Sequence, residues 1–143
     1  MKALIVDSCV WNAAFHKRDN HHEKGRKFLE WFNNRNDIKV YINDYIISET
    51  LAFLRRKLTK RVDITNKIIN MFLTDERIEV FYTSKENFNL AIDIFRQYDK
   101  LSLVDSIIVL NYLKTEPICL ISYDEGFDTY TKITRLEDPN NID

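Results

Sequence analysis

Residues 1–10 read MKALIVDSCV, and residues 118–124 read ICLISYD. In each, a short apolar run rich in β-branched residues leads to an aspartate: Asp7 follows Leu4, Ile5 and Val6, and Asp124 follows Leu120, Ile121, Ser122 and Tyr123. Runs of this length without polar alternation are expected of central strands in a parallel sheet, covered on both faces. Each acid then stands just beyond the carboxyl end of its strand, where open α/β sheets bind ligands. Two acids arriving side by side from separate strands repel each other, and a divalent cation is the usual remedy.

Working outward, further strands are expected over 39–42 and 78–82, with a weaker edge strand over 133–136. Between them lie stretches with helical spacing. Residues 23–32 repeat Phe28, Leu29 and Phe32, and residues 45–58 align Ile46, Ile47, Leu51 and Leu54 on one stripe. Helices are also expected over 64–73, 85–98 and 103–113. Strands alternating with helices of this length imply an α/β fold, a three-layer α/β/α sandwich around a largely parallel sheet of four to five strands. With no repeat, low-complexity tract or linker, residues 1–143 read as one domain, whose polar end, 137–143, is expected to fray.

The bulk properties bound the function. A chain of 143 residues with 45% hydrophobic and 30% charged residues can bury a substantial core. Its net charge of −1 argues against a broad basic surface for nucleic acid. A nuclease stays open, because bound cations can supply the positive charge that phosphate requires. Cys9 and Cys119 lie in apolar runs without a CxxC or Cys/His cluster, as reduced buried thiols do, which favours a cytoplasmic location. No segment reaches the ~20 apolar residues of a membrane span.

Two more acids occupy unusual surroundings. Glu49 lies in ISETLAFLRR between Ile47 and Leu51, and Asp105 lies in SLVDSIIVL, in the first turn of a strongly apolar helix. Charges so embedded are costly unless paired or bound to metal. Each of the four acids also has a reading that needs no cation. Asp7 can cap the helix after the first strand. Ser102 and Asp105 have the spacing of a capping box. Glu49 can pair with Arg55 or Arg56, although spacings of six and seven suit contact poorly. Asp124 opens Tyr-Asp-Glu-Gly, a good turn sequence. The conjunction of four acids on four elements favours a shared purpose.

These residues resemble a PIN-domain protein, specifically the VapC-type toxin ribonucleases of type II toxin–antitoxin systems. The resemblance spans nearly the whole chain and rests on ALIVDSCVWNAAF, YIISETLAFLRRK, LSLVDSIIVLNYL and LISYDEGFD before the final KITRL, in that order. It implies catalytic, metal-binding acids at Asp7, Glu49, Asp105 and Asp124. It further implies supporting hydroxyls at Ser8 and Ser122, a core aromatic at Phe127 and a supporting acid at Asp128. Arg55 and Arg56 match basic residues that could meet RNA or a partner. Cys9 and Trp11 depart from the commoner opening, where Val or Leu and a small residue are frequent; core packing is the expected use of Trp11 and Phe15. The resemblance also implies an RNA substrate, a small antitoxin that covers the acidic site, and a homodimer.

The chemistry this implies is phosphodiester hydrolysis with Mg²⁺ or Mn²⁺, hard cations that oxygen ligands suit. Asp7 and Asp105 are the expected principal ligands, with Asp124 and Glu49 placing waters or a second ion. His16, His21 and His22 lack the spacing of a zinc site and read as surface-loop or helix-start residues. The run Arg55, Arg56, Lys57, Lys60 and Arg61 reads as a solvated face, with Arg55 and Arg56 also available to RNA phosphates. Two other functions compete. A haloacid-dehalogenase-like phosphatase wants a second Asp two residues after the first, where this chain has Cys9. A catalytically inactive PIN-fold module for binding RNA or protein would retain an acidic cluster that only destabilises it by self-repulsion.

Overall fold

A computed structural model describes residues 1–142. Five strands, β1 (Lys2–Val6), β2 (Ile38–Asn43), β3 (Ile78–Phe81), β4 (Cys119–Ile121) and β5 (Arg135–Leu136), form one sheet in the order β3-β2-β1-β4-β5. Every pairing is parallel, with Leu4 opposite Val40 on one side and Cys119 on the other. The α/β fold with a parallel sheet is as the sequence indicates, and the 133–136 strand shortens to two residues at the edge.

Six helices connect the strands: α1 (Ser8–Phe15), α2 (His22–Asn33), α3 (Asp44–Lys57), α4 (Val62–Thr74), α5 (Lys85–Gln97) and α6 (Leu103–Thr115). Five match the stretches with helical spacing to within two residues at each end. The exception is α1, absent from those stretches because SCVWNAAF is apolar nearly throughout. It is buried on most sides, with Val10, Trp11, Ala13 and Ala14 all inside. Trp11 takes the core position expected of it. Its ring meets Phe28, Phe32 and Phe72 edge-on at centroid distances of 5.5, 6.5 and 5.2 Å, and its Nε1 donates to the Val6 carbonyl at 3.3 Å. Such edge-to-face pairs contribute about 0.5–1.5 kcal/mol each beyond the area they bury.

Gly25 sets how closely α2 approaches α1. A Cβ there would lie 2.4 Å from the Ala14 backbone nitrogen, so no larger residue fits without moving a helix. On the other side of β1, α6 is apolar around most of its girth, burying Ile107, Ile108, Val109 and Tyr112. Phe127 is fully buried in the same core. In the segment expected to fray, Glu137 bonds Lys24 and Arg135 and Pro139 is buried, while Asp143 lies outside the described residues.

Strand order fixes where the chemistry gathers. β1 is central; the chain leaves it for β2 on one side and returns to it with β4 on the other. This is a topological switch point, where a crevice opens beyond the strand ends. Asp7 follows β1, and Ser122 and Asp124 follow the adjacent β4.

Candidate active site

Asp7 follows β1 directly, in an extended conformation, and is the N-cap of α1. Its Oδ1 accepts from the Ser8 backbone N–H at 2.7 Å, and its Oδ2 accepts from the Ser122 hydroxyl at 2.8 Å. The Cys9 thiol lies 3.6 Å from the same Oδ2. Its backbone N–H reaches across to the Ile121 carbonyl at 3.0 Å, locking the two strand ends together. The residue is only 5% exposed. Burial pushes its carboxyl above the usual carboxylate range against the pull of the Ser122 and Ser8 bonds, and the nearby Glu49 charge pushes the same way.

Ser122 joins the two strand-end acids. Fully buried, it donates to Asp7 and accepts from the Asp124 backbone N–H at 3.1 Å. Asp124 in turn caps the short 3-10 turn Glu125–Thr129 through the Gly126 N–H at 2.8 Å. The capping and turn readings of Asp7 and Asp124 are therefore realised in the structure, alongside their position at the crevice. A carboxylate offers about four acceptor sites, so capping does not exhaust it.

The other two acids come from helices. Asn43 ends β2 and caps α3 through the Ile46 N–H at 2.8 Å, anchored by its own bond to Asn111 at 2.8 Å. That fixes Glu49 in the second turn of α3, beside the buried stripe of Ile46, Thr50 and Leu54. Glu49 accepts from the Ser8 hydroxyl at 3.2 Å, and neither Arg55 nor Arg56 pairs with it. Burial raises its carboxyl pKa, with the Asp105 charge adding to the effect. Asp105 does form the capping box: Ser102 Oγ accepts from its N–H and its Oδ2 accepts from the Ser102 N–H, both at 3.0 Å. Its carboxyl is nevertheless pushed up to about 6, by burial first and then by the charges of Asp7 and Asp124. The electrostatics link all four acids into one mutually repelling group.

They share one recess of about 420 Å³, lined by Asp7, Ser8, Cys9, His21, Glu49, Ser102, Asp105, Tyr123 and Asp124. No Lys or Arg is among these lining residues. Hard oxygen donors, uncompensated by any cation in the lining, suit a divalent ion such as Mg²⁺ or Mn²⁺. Among the described residues, however, no three His, Cys, Asp or Glu side chains are already gathered into a preformed metal cluster.

Other expected site residues lie elsewhere. Asp128 faces away, in a two-pronged pair with Arg135 at 2.9 and 3.1 Å. Arg135 also donates to the Ser122 carbonyl at 3.0 Å, so Asp128 touches the site only through that arginine. Arg55 and Arg56 are exposed in the last turn of α3, and Arg56 lines a separate groove with Lys17, Arg18, Lys57 and Arg61. His21 and Tyr123 line the acidic recess although neither stood among the expected site residues. For Tyr123 the signal was its place between Ser122 and Asp124; for His21 there was none in local sequence.

A family model described as "PIN domain" matches residues 4–133, most of the chain. The chain belongs to the PIN-domain family. No curated protein matches this PIN-domain sequence. Among solved structures it is similar to VapC20 of Mycobacterium tuberculosis, described as a sarcin–ricin-loop-cleaving toxin. That likeness has a TM-score of 0.73 at 17% identity and covers 89% of this chain and 94% of that one. It is also similar to VapBC2 of Rickettsia felis, determined bound to a DNA fragment from its promoter, with a TM-score of 0.66 at 12% identity over 94% and 97% of the two chains. At such identities the likeness establishes the PIN-like fold alone.

Proposed function

We propose that this PIN-domain chain, a single unit over residues 1–143, is a Mg²⁺- or Mn²⁺-dependent endoribonuclease that hydrolyses RNA phosphodiester bonds. The observation that carries the proposal is the recess itself: four carboxylates from four elements share one opening whose lining holds no Lys or Arg. Asp7 and Asp105 would be the principal ligands, with Asp124 and Glu49 holding waters or a second ion. A bound divalent cation supplies an activated water and neutralises charge on phosphate.

The chain's own residues prepare the recess for that chemistry. Ser122 orients Asp7 from one side and the Ser8 N–H from the other, so the Asp7 carboxylate cannot swing away. The Ser8 hydroxyl ties Glu49 to the same strand end. Burial and mutual repulsion hold Asp7, Glu49 and Asp105 at raised proton affinity. Asp128 supports only indirectly, by holding Arg135 on the Ser122 carbonyl. Arg55 and Arg56, exposed at the end of α3, would meet RNA phosphates or a protein partner.

The likeness to VapC20 and VapBC2, together with family membership, supports a toxin of a toxin–antitoxin pair. Its partner would be a small antitoxin, its state a homodimer and its place the cytoplasm. Among the described residues no helix is long and apolar enough to cross a membrane. The test is cleavage of single-stranded RNA with Mn²⁺ by wild type and Asp7→Asn. Loss of cleavage in the variant is expected; equal cleavage by both would show that the centre is wrongly assigned.

The lack of a preformed three-donor cluster among the described residues favours one second reading, a PIN-fold module that binds RNA or protein without cleaving. Thermal melting separates the two readings. The nuclease gains stability from millimolar Mn²⁺, and the inactive module melts at the same temperature with and without it.

A further inference from the structure

At the mouth of the acidic recess sits an aromatic pair that the carboxylate chemistry does not use. The rings of His21 and Tyr123 lie 4.6 Å apart between centroids and are inclined by 36°. Tyr123 is half-buried and stands between Ser122, which joins the strand-end acids, and Asp124, one of those acids. Its N–H donates to Cys9 Sγ at 3.5 Å, and its hydroxyl is enclosed without a hydrogen-bond partner among the described residues. The Lys24 ammonium lies 5.7 Å from its centroid, held there by Glu137 at 2.6 Å.

His21 is exposed, but its backbone is not loose. Its N–H donates to Asp19 Oδ1 at 2.8 Å, and its carbonyl accepts from the Gly25 N–H at 2.9 Å. The next residue, His22, bonds the Ala13 carbonyl through Nδ1 at 2.7 Å. Behind them Gly25 lets α2 press directly on α1. The start of α2 is therefore fixed relative to β1 and Asp7, and the His21 ring is backed by Tyr123 at a set position on the rim.

The recess lining is acidic and, without bound cations, repels phosphate. The neutral part of an RNA strand is its bases, and an unpaired base stacks on an aromatic or imidazole face. We infer that His21, backed by Tyr123, is a stacking platform for the nucleobase next to the phosphodiester that the carboxylates act on. The inference rests on the ribonuclease reading of the recess and adds to it a binding residue for single-stranded RNA.

The test uses the full chain with millimolar Ca²⁺ in place of Mg²⁺ or Mn²⁺, so that a hard cation neutralises the recess and binding is read at times before any cleavage. Single-stranded RNA carrying 2-aminopurine at successive positions is titrated with wild type, His21→Ala and His21→Phe, each checked for an unchanged melting temperature. Stacking is expected to quench 2-aminopurine at one position. His21→Ala should abolish that quenching and weaken binding by about 5- to 150-fold, as loss of ~1–3 kcal/mol of base stacking implies. His21→Phe should preserve both. Three results overturn the platform: no quenching at any position by wild type, undiminished quenching and affinity in His21→Ala, or a Phe variant no better than Ala, which would assign His21 a charge or proton role instead. Failure of the ribonuclease reading shows separately, as Asp7→Asn cleaving RNA as fast as wild type.

Discussion

Replacing Asp105 with asparagine should make the metal-free protein more stable, although it alters a candidate ligand. Burial, reinforced by Asp7 and Asp124, moves the Asp105 carboxyl from its usual 3.8 to about 6. Because the folded protein holds this proton more tightly than the unfolded chain, the associated stability is fully present below pH 3.8 and is lost as pH rises through about 6. At about 1.4 kcal/mol per pH unit the full displacement corresponds to ~3 kcal/mol, which partial exposure and solvent screening reduce to about 1–2 kcal/mol. Asparagine removes the charge, yet its Oδ1 can still accept from the Ser102 N–H that Asp105 now bonds at 3.0 Å. The helix cap survives.

Melting followed by circular dichroism in EDTA should therefore place Asp105→Asn roughly 3–8 °C above wild type at pH 8, the range that 1–2 kcal/mol gives for a domain of this size. The gap should close towards pH 4, where both forms are neutral. Asp105→Ala, which also loses the cap acceptor at a cost of about 1 kcal/mol, should fall below Asp105→Asn at both pH values. Millimolar Mn²⁺ should reverse the order of wild type and Asp105→Asn. An Asp105→Asn protein no more stable than wild type at pH 8 without metal would refute the claim that the recess holds mutually repelling carboxylates.

The supporting contacts make their own predictions. Ser122→Ala removes the hydroxyl that donates to buried Asp7 at 2.8 Å and should cost about 1–3 kcal/mol in urea unfolding. No loss there would mean that Asp7 does not depend on this bond. Gly25→Ala forces a methyl to 2.4 Å from the Ala14 nitrogen and should destabilise by about 1–3 kcal/mol or more. It should also weaken RNA binding beyond what the stability loss explains, because the start of α2 carries His21; unchanged melting would contradict the close approach of α1 and α2.

The legibility of this protein varied with how local each signal was. Four of the five strands could be found from their apolar β-branched runs and the edge strand only from a weaker signal over 133–136, and the placement of Asp7 and Asp124 beyond their strands followed directly. Helix α1 was not among the helical stretches, because burial against the sheet and neighbouring helices leaves it no polar face and hence no periodicity. Capping and recess roles proved compatible for Asp105 and Asp124, so weighing one against the other in sequence could not succeed. Asp128 stands four residues after Asp124, but the 3-10 turn carries it out to Arg135, a contact set by β5. His21 comes to the recess only because Gly25 brings α2 onto α1. That tertiary contact leaves no trace in the six polar-looking residues between the two helices.

Binding of Mn²⁺ by the free protein, followed by loss of the aqueous ion's paramagnetic resonance signal at pH 8, bears most directly on whether these carboxylates act together. Wild type should take up the ion, and Asp7→Asn, Asp105→Asn and Asp124→Asn should each weaken uptake at least about tenfold, the equivalent of ~1.4 kcal/mol. Uptake undiminished by all three substitutions would contradict a shared cation site at the end of β1 and β4.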